Sequence, residues 1–325
     1  MHLASRLVPV TTATVGIMLP RDLPAHQIVP FVQKAEELGF DELWVVEDCF
    51  FRGGFTQAAV ALASTQRIRV GIGILPAPVR NAAFTALEAN TLAEIYPDRL
   101  IVGIGHGMPD WMRQVGDKPA SILTMLDEQL SALRTLLAGE PLEVDGRYVQ
   151  IHGAQLATPA SIAPPVLAGV RGPKSLAVSG RSADGTILAE PVTPEYVVAA
   201  LANIAAAGPH AVVAYNVAAV DDDASVARDR ARPALEWIGD PDWAPHIEPL
   251  PFADEFVALR ERSATRAEFV AALPDEWVDA LALVGTPDRV RERIAELHAS
   301  GVTSVVFIPA GDDPMGRLDS LARAL

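Results

Sequence analysis

"HQIVPFVQKAEELGFDELWVVED", residues 26–48, decides the fold. Ile28, Phe31, Val32, Ala35 and Leu38 recur at helical spacing, so the helix they predict has one apolar face. Gly39 stands where a residue in the left-handed conformation ends such a helix. Leu43 to Val46 then form an unbroken apolar run, which predicts a strand buried on both faces. An amphipathic helix, a glycine and a two-sided strand make the repeat of a parallel sheet clothed in helices. Residues 285–309, "GTPDRVRERIAELHASGVTSVVFIP", repeat it. There Thr286 is the expected N-cap and Pro287 the first helical residue. Val290, Ile294 and Leu297 face inward, Gly301 stops the helix, and Val302 to Ile308 form the strand.

The same grammar predicts strands near 14–19, 43–47, 68–75, 99–104, 166–169, 185–189, 210–219 and 303–308. Helices are expected near 25–38, 55–66, 82–96, 121–137, 173–180, 194–207, 287–300 and 314–325. Eight such units predict an α/β protein of the closed (β/α)8 TIM-barrel type rather than an open sheet. Three stretches break the repeat and read as insertions. They lie near 107–120, near 140–165 (a small hairpin and a proline-rich connection) and near 232–283 (acidic, without barrel period). Loops this long inside a compact unit serve as lids or walls. Residues 1–325 read as a single domain.

Half of the residues are apolar, yet no run reaches 18, which excludes a membrane span and a disordered chain. The opening "MHLASRLVPVTT" lacks an apolar core and a cleavage site, so no signal peptide is expected. The lone cysteine, Cys49, excludes a disulfide framework and a cysteine-rich metal site. A cytoplasmic enzyme is the expectation. A net charge of −15 argues against nucleic acid as a partner. An anionic ligand would need a local device, such as free N–H groups at a helix start beside a few cations.

In a barrel the reactive groups lie at the C-terminal ends of the strands, and four segments meet that test. "WVVEDCF", 44–50, places Glu47 and Asp48 there. These carboxylates can act as acid, base or ligand anchor, or one can cap the next helix or pair with an arginine. Cys49, with no histidine nearby, reads as a small packed residue. "IRVGIGILPAP", 68–78, carries Gly71 and Gly73 inside an apolar strand. Glycine there marks a bend or a close approach, so a barrel bulge and a flat ligand on bare backbone both fit. "RLIVGIGHGMPDW", 99–111, holds His106 between Gly105 and Gly107. It is not a dinucleotide fingerprint: Pro109 and Trp111 stand where a helix should run, and no third glycine has the spacing. His106 can exchange a proton near neutral pH, or serve as a rim strut bonded to a neighbouring loop.

"LAGVRGPKS", 167–175, gathers Arg171, Gly172, Pro173 and Lys174 ahead of Ser175. It is not a Walker A loop, but two cations at a helix start make it the best anion site in the chain. There is no HExxH, no GxSxG and no metal-ligand spacing among the seven histidines, so no metal is expected. A flat ring on the third strand and a phosphate on a later loop suggest a flavin-type cofactor. Such a cofactor carries the hard chemistry while the protein positions it.

"GFDELWVVED", "RVGIGILPAPVRNAAFTALEANTLAEIYPDRLIVGIGHG", "GVRGPKSLAVSGRSADGTILAE" and "VGTPDRVRERIAELHASGVTSVVF" resemble the bacterial luciferase-like superfamily. Within it they are most similar to the coenzyme F420-dependent branch related to methylenetetrahydromethanopterin reductase. The likeness runs from about Val15 to Phe307 and weakens over 232–283. It implies a homodimeric barrel whose third strand carries a non-prolyl cis peptide against a deazaflavin or flavin ring. On this chain that pair is Gly73–Ile74, followed by Leu75. Glu47 matches an acidic residue near the ring, and Gly105, His106 and Gly107 match a cofactor-contacting turn. Arg171 and Gly172, continued by Pro173 and Lys174, match the phosphate-holding loop.

The activity so implied is hydride transfer between C5 of F420 and a small-molecule substrate. His106 or Glu47 would handle the proton, and Asp48, Met108, Trp111 and Glu190 would surround the substrate. The alternative is an FMN-dependent two-component monooxygenase that uses O2 and FMNH2 from a flavin reductase partner. A non-catalytic flavin-binding protein is a third reading. The departures from the family are informative. Arg80-Asn81-Ala82 replaces a frequent Arg-His-Pro or Arg-Asn-Pro. Asp48, Met108 and Val192 replace the histidine, glutamate and lysine of sugar-phosphate dehydrogenases, so glucose-6-phosphate is not expected. Leu75, Pro78, Met108 and Trp111 predict a more apolar pocket.

Overall fold

A ring of parallel strands organises the chain in a computed structural model, which describes residues 13–325. The opening segment, and with it the expectation of no signal peptide, lies outside those residues. The described strands are β1 (Thr14–Met18), β2 (Glu42–Val45), β3 (Arg69–Pro76), β4 (Leu100–Gly105), β5 (Leu142–Asp145) and β6 (Gln150–Ala154). They continue with β7 (Val166–Gly169), β8 (Gly185–Leu188), β9 (Ala211–Val220), β10 (Leu283–Gly285) and β11 (Ser304–Pro309). Between them run α1 (Ile28–Glu37), α2 (Gly54–Ala63), α3 (Ala82–Ile95), α4 (Pro109–Gln114), α5 (Ile122–Leu137), α6 (Pro173–Ser182), α7 (Pro194–Ile204) and α8 (Ala224–Ala231).

Around the ring the order is β1, β2, β3, β4, β7, β8, β9 and β11, every neighbour parallel. The β8–β9 and β11–β1 pairings close it. This is the (β/α)8 barrel that the repeat predicts. The physical cause is two-sided burial. All of β2 is buried, while α1 presents Phe31, Val32 and Ala35 to the strands. Each large apolar side chain so buried contributes about 1.5–3 kcal/mol. The expected helix stops hold: Gly39 and Gly301 have φ of +95° and +114°.

Inside the ring a second cluster comprises Trp44, Ile101, Leu167, Ile187, Val213, Tyr215 and Val306. Trp44 meets Tyr215 edge to face with ring centroids 5.7 Å apart. A side chain at Gly71 would collide with the Trp44 indole, so that glycine serves the filling of the barrel.

The insertions differ in kind. Residues 107–120 contain α4, with Pro109 in its first turn. The expectation that no helix follows the glycine turn is thus corrected; proline at a helix start removes only an N–H that has no intrahelical partner. Residues 140–165 contain the β5–β6 antiparallel hairpin, as expected. The 232–283 segment is helical: α9 (Ala244–Ile247), α10 (Ala253–Arg262), α11 (Arg266–Ala271) and α12 (Asp275–Leu281). It builds its own core, with Phe256, Leu259, Phe269 and Val278 against Val217 and Ala219 of β9. It ends in β10, which the sequence reading did not include and which pairs with the last residues of β9. Helices α13 (Pro287–Ala299) and α14 (Pro314–Ala322) finish the chain. Among the described residues no helix is long and apolar enough to cross a membrane.

Candidate active site

The C-terminal ends of β2, β3, β4, β7 and β8 bring most of the candidate residues to one rim. On β3 the register to β4 slips between Ile72 and Leu75, and the Gly73–Ile74 peptide is cis. Gly73 and Ile74 are partly accessible, whereas Ile72, Leu75 and Pro76 are buried. A Cβ on Gly73 would collide with the Tyr215 hydroxyl and press on Trp44. The bare Cα therefore makes room for the barrel interior. The Tyr215 hydroxyl beneath Gly73 is buried and has no hydrogen-bond partner among the described residues. The Ile74 side chain lies across Gly105 and Gly169, where a Cβ on either would overlap it.

Leu75 turns outward, fully buried against Gly54 of α2, and Pro78 is also buried. The apolar lining expected from these two side chains is therefore not at the rim, because β3 directs them into the helix layer. Met108 is 42% exposed and Trp111 is partly so.

Glu47 is the most heavily engaged acid of the rim. Its Oε1 accepts from Arg80 Nε at 2.8 Å, and its Oε2 accepts from Arg80 Nη2 at 2.5 Å. Oε2 also accepts the Gly54 N–H at 2.6 Å, at the start of α2. Of the roles open to it, capping and pairing are the ones its geometry displays. Asp48 pairs with Arg21 at 2.6 Å. Burial, then the two carboxylates beside it, push the Cys49 thiol up, away from the reactive thiolate.

Beyond β4, Gly107 has φ of +69° and turns the chain back against Pro76 and Met112. His106 Nε2 lies 2.9 Å from Ser175 Oγ, in the first turn of α6. Burial lowers the pKa of His106, which keeps the imidazole neutral at neutral pH. Helix α6 itself starts at Gly172 without a side-chain cap. By contrast Asn81, Ser121, Thr193 and Thr286 cap α3, α5, α7 and α13. Among the described residues neither Arg171 nor Lys174 is in an ion pair. The Arg171 guanidinium rests over the Trp243 ring, 4.5 Å from its centroid, and its backbone carbonyl accepts from Tyr196 Oη at 3.0 Å.

The turn after β8 is held at three successive residues. Trp243 Nε1 donates to the Glu190 carbonyl at 2.9 Å, and His246 Nδ1 donates to the Pro191 carbonyl at 3.0 Å. Asn216 of β9 takes both backbone groups of the buried Val192, at 2.9 and 3.1 Å. The Glu190 carboxyl is in no ion pair among the described residues. Burial raises its pKa, against the lowering influence of Arg171. His246 is fully buried, lies against Tyr196 with centroids 4.1 Å apart, and has its pKa lowered to about 3 by burial and Arg171.

Sequence reading missed Arg80, Tyr215, Asn216, Trp243 and His246 as parts of this site. For Trp243 and His246 the only signal is an aromatic pair inside an otherwise acidic insertion. Two cavities of about 400 and 430 Å³ flank Arg80, the first also touching Glu47. Neither reaches His106 or Arg171, so strand ends and unpaired polar groups locate the site better than concavity does. No cluster among the described residues could hold a metal.

Residues 6–304 match the family described as luciferase-like monooxygenase. The chain belongs to that family. Within this luciferase-like family it is 31% identical over 310 residues to a 5,10-methylenetetrahydromethanopterin reductase of Methanolobus tindarius, covering 90% of this chain and 93% of that one. The expected branch is borne out. Two solved structures share the fold. The coenzyme F420 dependent tetrahydromethanopterin reductase from Methanopyrus kandleri superposes with a TM-score of 0.81 at 22% identity, covering 97% and 98% of the two chains. An F420-dependent secondary alcohol dehydrogenase, in complex with an F420-acetone adduct, gives 0.76 at 18% identity, with coverage of 97% and 98%. The luciferase-like chain is thus an enzyme of the oxidoreductase class.

Proposed function

We propose that this enzyme transfers a hydride between coenzyme F420 and a small organic substrate. The observation that carries the reading is the uncapped start of α6, where Arg171 and Lys174 lack carboxylate partners among the described residues, in a chain of net charge −15. A Cβ at Gly172 would meet nothing within 4 Å, so the helix start is open to an anionic group. Across the rim Gly73 and Ile74 are partly accessible, and the Tyr215 hydroxyl below Gly73 lacks a partner among the described residues. These residues fit a planar ring with an anionic tail. Similarity to the methylenetetrahydromethanopterin reductases favours F420 over FMN.

F420, when bound, supplies or accepts the hydride at C5 of its ring. Arg171, Gly172, Pro173 and Lys174 would hold the phosphate end through charge and free N–H groups. The Gly73–Ile74 main chain, with the backbone of Leu75 and the Gly105–His106–Gly107 turn, would seat the ring. His106, neutral and bonded to Ser175, would orient by hydrogen bonding. Glu47 would set the wall through Arg80. Asp48, Met108, Trp111 and Glu190 would bound the substrate. A homodimer belongs to the same reading, supported by Phe84, Leu87 and Ile95 on α3, which are 70, 51 and 60% exposed.

Spectral titration of the purified protein with F420 and with FMN tests the cofactor. Saturable F420 binding is expected. Saturable binding of FMN alone, with O2-dependent turnover, would replace this reading by the monooxygenase one.

A further inference from the structure

We propose that Glu190 is the acid that exchanges the substrate proton, presented by a turn that Trp243 and His246 of the insertion hold in place. The proposal rests on the hydride-transfer reading and adds the residue that completes it. Three candidate acids follow β2 and β8. Glu47 is neutralised by Arg80 and capped onto α2, and Asp48 is neutralised by Arg21. Among the described residues Glu190 alone of the three is in no ion pair.

Its backbone is the opposite of free. The carbonyls of 190, 191 and 192 each accept a side-chain donor, from Trp243, His246 and Asn216 respectively. A turn so clamped fixes the point from which the Glu190 side chain reaches, which is what placing a proton donor at a defined spot requires. The charged groups that act on it come from around the rim: Arg171 after β7, Asp48 after β2 and Arg21 after β1. Tyr215 of β9 feels its charge, and His246 of α9 is bonded to the next residue. Glu190 follows the C-terminal end of β8 as Arg171 follows that of β7, so the two stand on adjacent parts of one rim. Burial there favours the protonated carboxyl, the form a proton donor needs.

As the substrate carbon gains the hydride and is reduced by two electrons, the Glu190 O–H bond breaks and its proton joins the adjacent substrate oxygen or nitrogen. The carboxylate recovers a proton from solvent, and the reduced deazaflavin is the species oxidised. In the reverse direction the carboxylate accepts the proton.

The test has one arm without cofactor. In protein labelled with ¹³C at the glutamate carboxyls, Glu190→Gln identifies the Glu190 resonance, which should titrate above the other glutamates. A midpoint at or below the ordinary value of about 4.3 overturns the proposal. In the loaded enzyme Glu190→Gln should bind F420 as the parent does, yet lose kcat by about 10²- to 10⁴-fold together with one limb of the pH profile. Glu190→Asp should restore that limb in part, and Trp243→Phe should move its midpoint. An unchanged kcat and profile in Glu190→Gln also overturns the proposal. Failure of the parent to bind F420 would instead sink the functional reading, and the cofactor-free titration separates the two.

Discussion

The two sides of the barrel mouth use charge in opposite ways. On the β2–β3 side the candidate acids meet counter-charges in the protein: Glu47 pairs with Arg80 and Asp48 with Arg21, while Arg80 also meets Glu88 and Arg52 donates to the Arg21 and Leu23 carbonyls. On the β7–β8 side Arg171, Lys174 and Glu190 have no ion-pair partner among the described residues, although the backbone around them is tied down by Tyr196, Trp243, His246 and Asn216. Paired charges build a wall. Charges left unpaired on a rigid frame are there to meet something that comes and goes. Removing a charge should therefore reduce stability on the first side and ligand affinity on the second.

The largest effect expected from this contrast is on the wall. Glu47→Ala leaves Arg80 without its partner and the Gly54 N–H without an acceptor, and should cost about 3 kcal/mol in urea unfolding. Equal stability of the variant and parent would erase the distinction. Next, Arg171→Ala should weaken F420 binding by about 2 kcal/mol, roughly 30-fold in Kd, with little change in the unfolding midpoint. A loss of stability without loss of affinity would reverse the assignment.

The third test concerns acid. Burial, then Arg171, hold the pKa of His246 down at about 3 in the fold, against an ordinary 6.5, so over that interval the unfolded chain binds a proton that the folded one does not. Stability should then fall by about 1.4 kcal/mol per pH unit as pH drops from 6.5 towards 3. His246→Phe should flatten that slope when unfolding midpoints at pH 7 and pH 5 are compared. The smallest effect is at the seam between the sides. Ser175→Ala removes one partly buried bond to His106 and should cost about 0.5–1 kcal/mol in a thermal scan. A much larger loss would make His106 chiefly a strut.

These expectations depend on features of unequal legibility. Strand β8 is expected at 185–189 and found at Gly185–Leu188, because an apolar run between two helical patterns leaves little freedom. The Thr286 cap and Pro287 likewise fall where local chemistry demands. Strand β10 was not legible, since three residues carry no period of their own and exist as a strand only beside β9. The engagement of Glu47 by Arg80 spans 33 positions. It follows from the register of two strand ends, which no local pattern encodes. The contacts of Trp243 and His246 span 53 and 55 positions, and they depend on how the insertion folds back. Gly73 shows a subtler limit. A missing side chain announces a close approach but not from which side, and here Tyr215 arrives from within.

Strand β9 is ten residues long and buried throughout, and its last three positions extend past β8 to pair with β10. The helical annex is thereby stitched to the barrel by hydrogen bonds at both of its chain crossings. An exchange of residues 221–282 between relatives should therefore graft cleanly if the Leu283–Gly285 seam is kept, making this annex the natural module for redirecting the enzyme to other molecules.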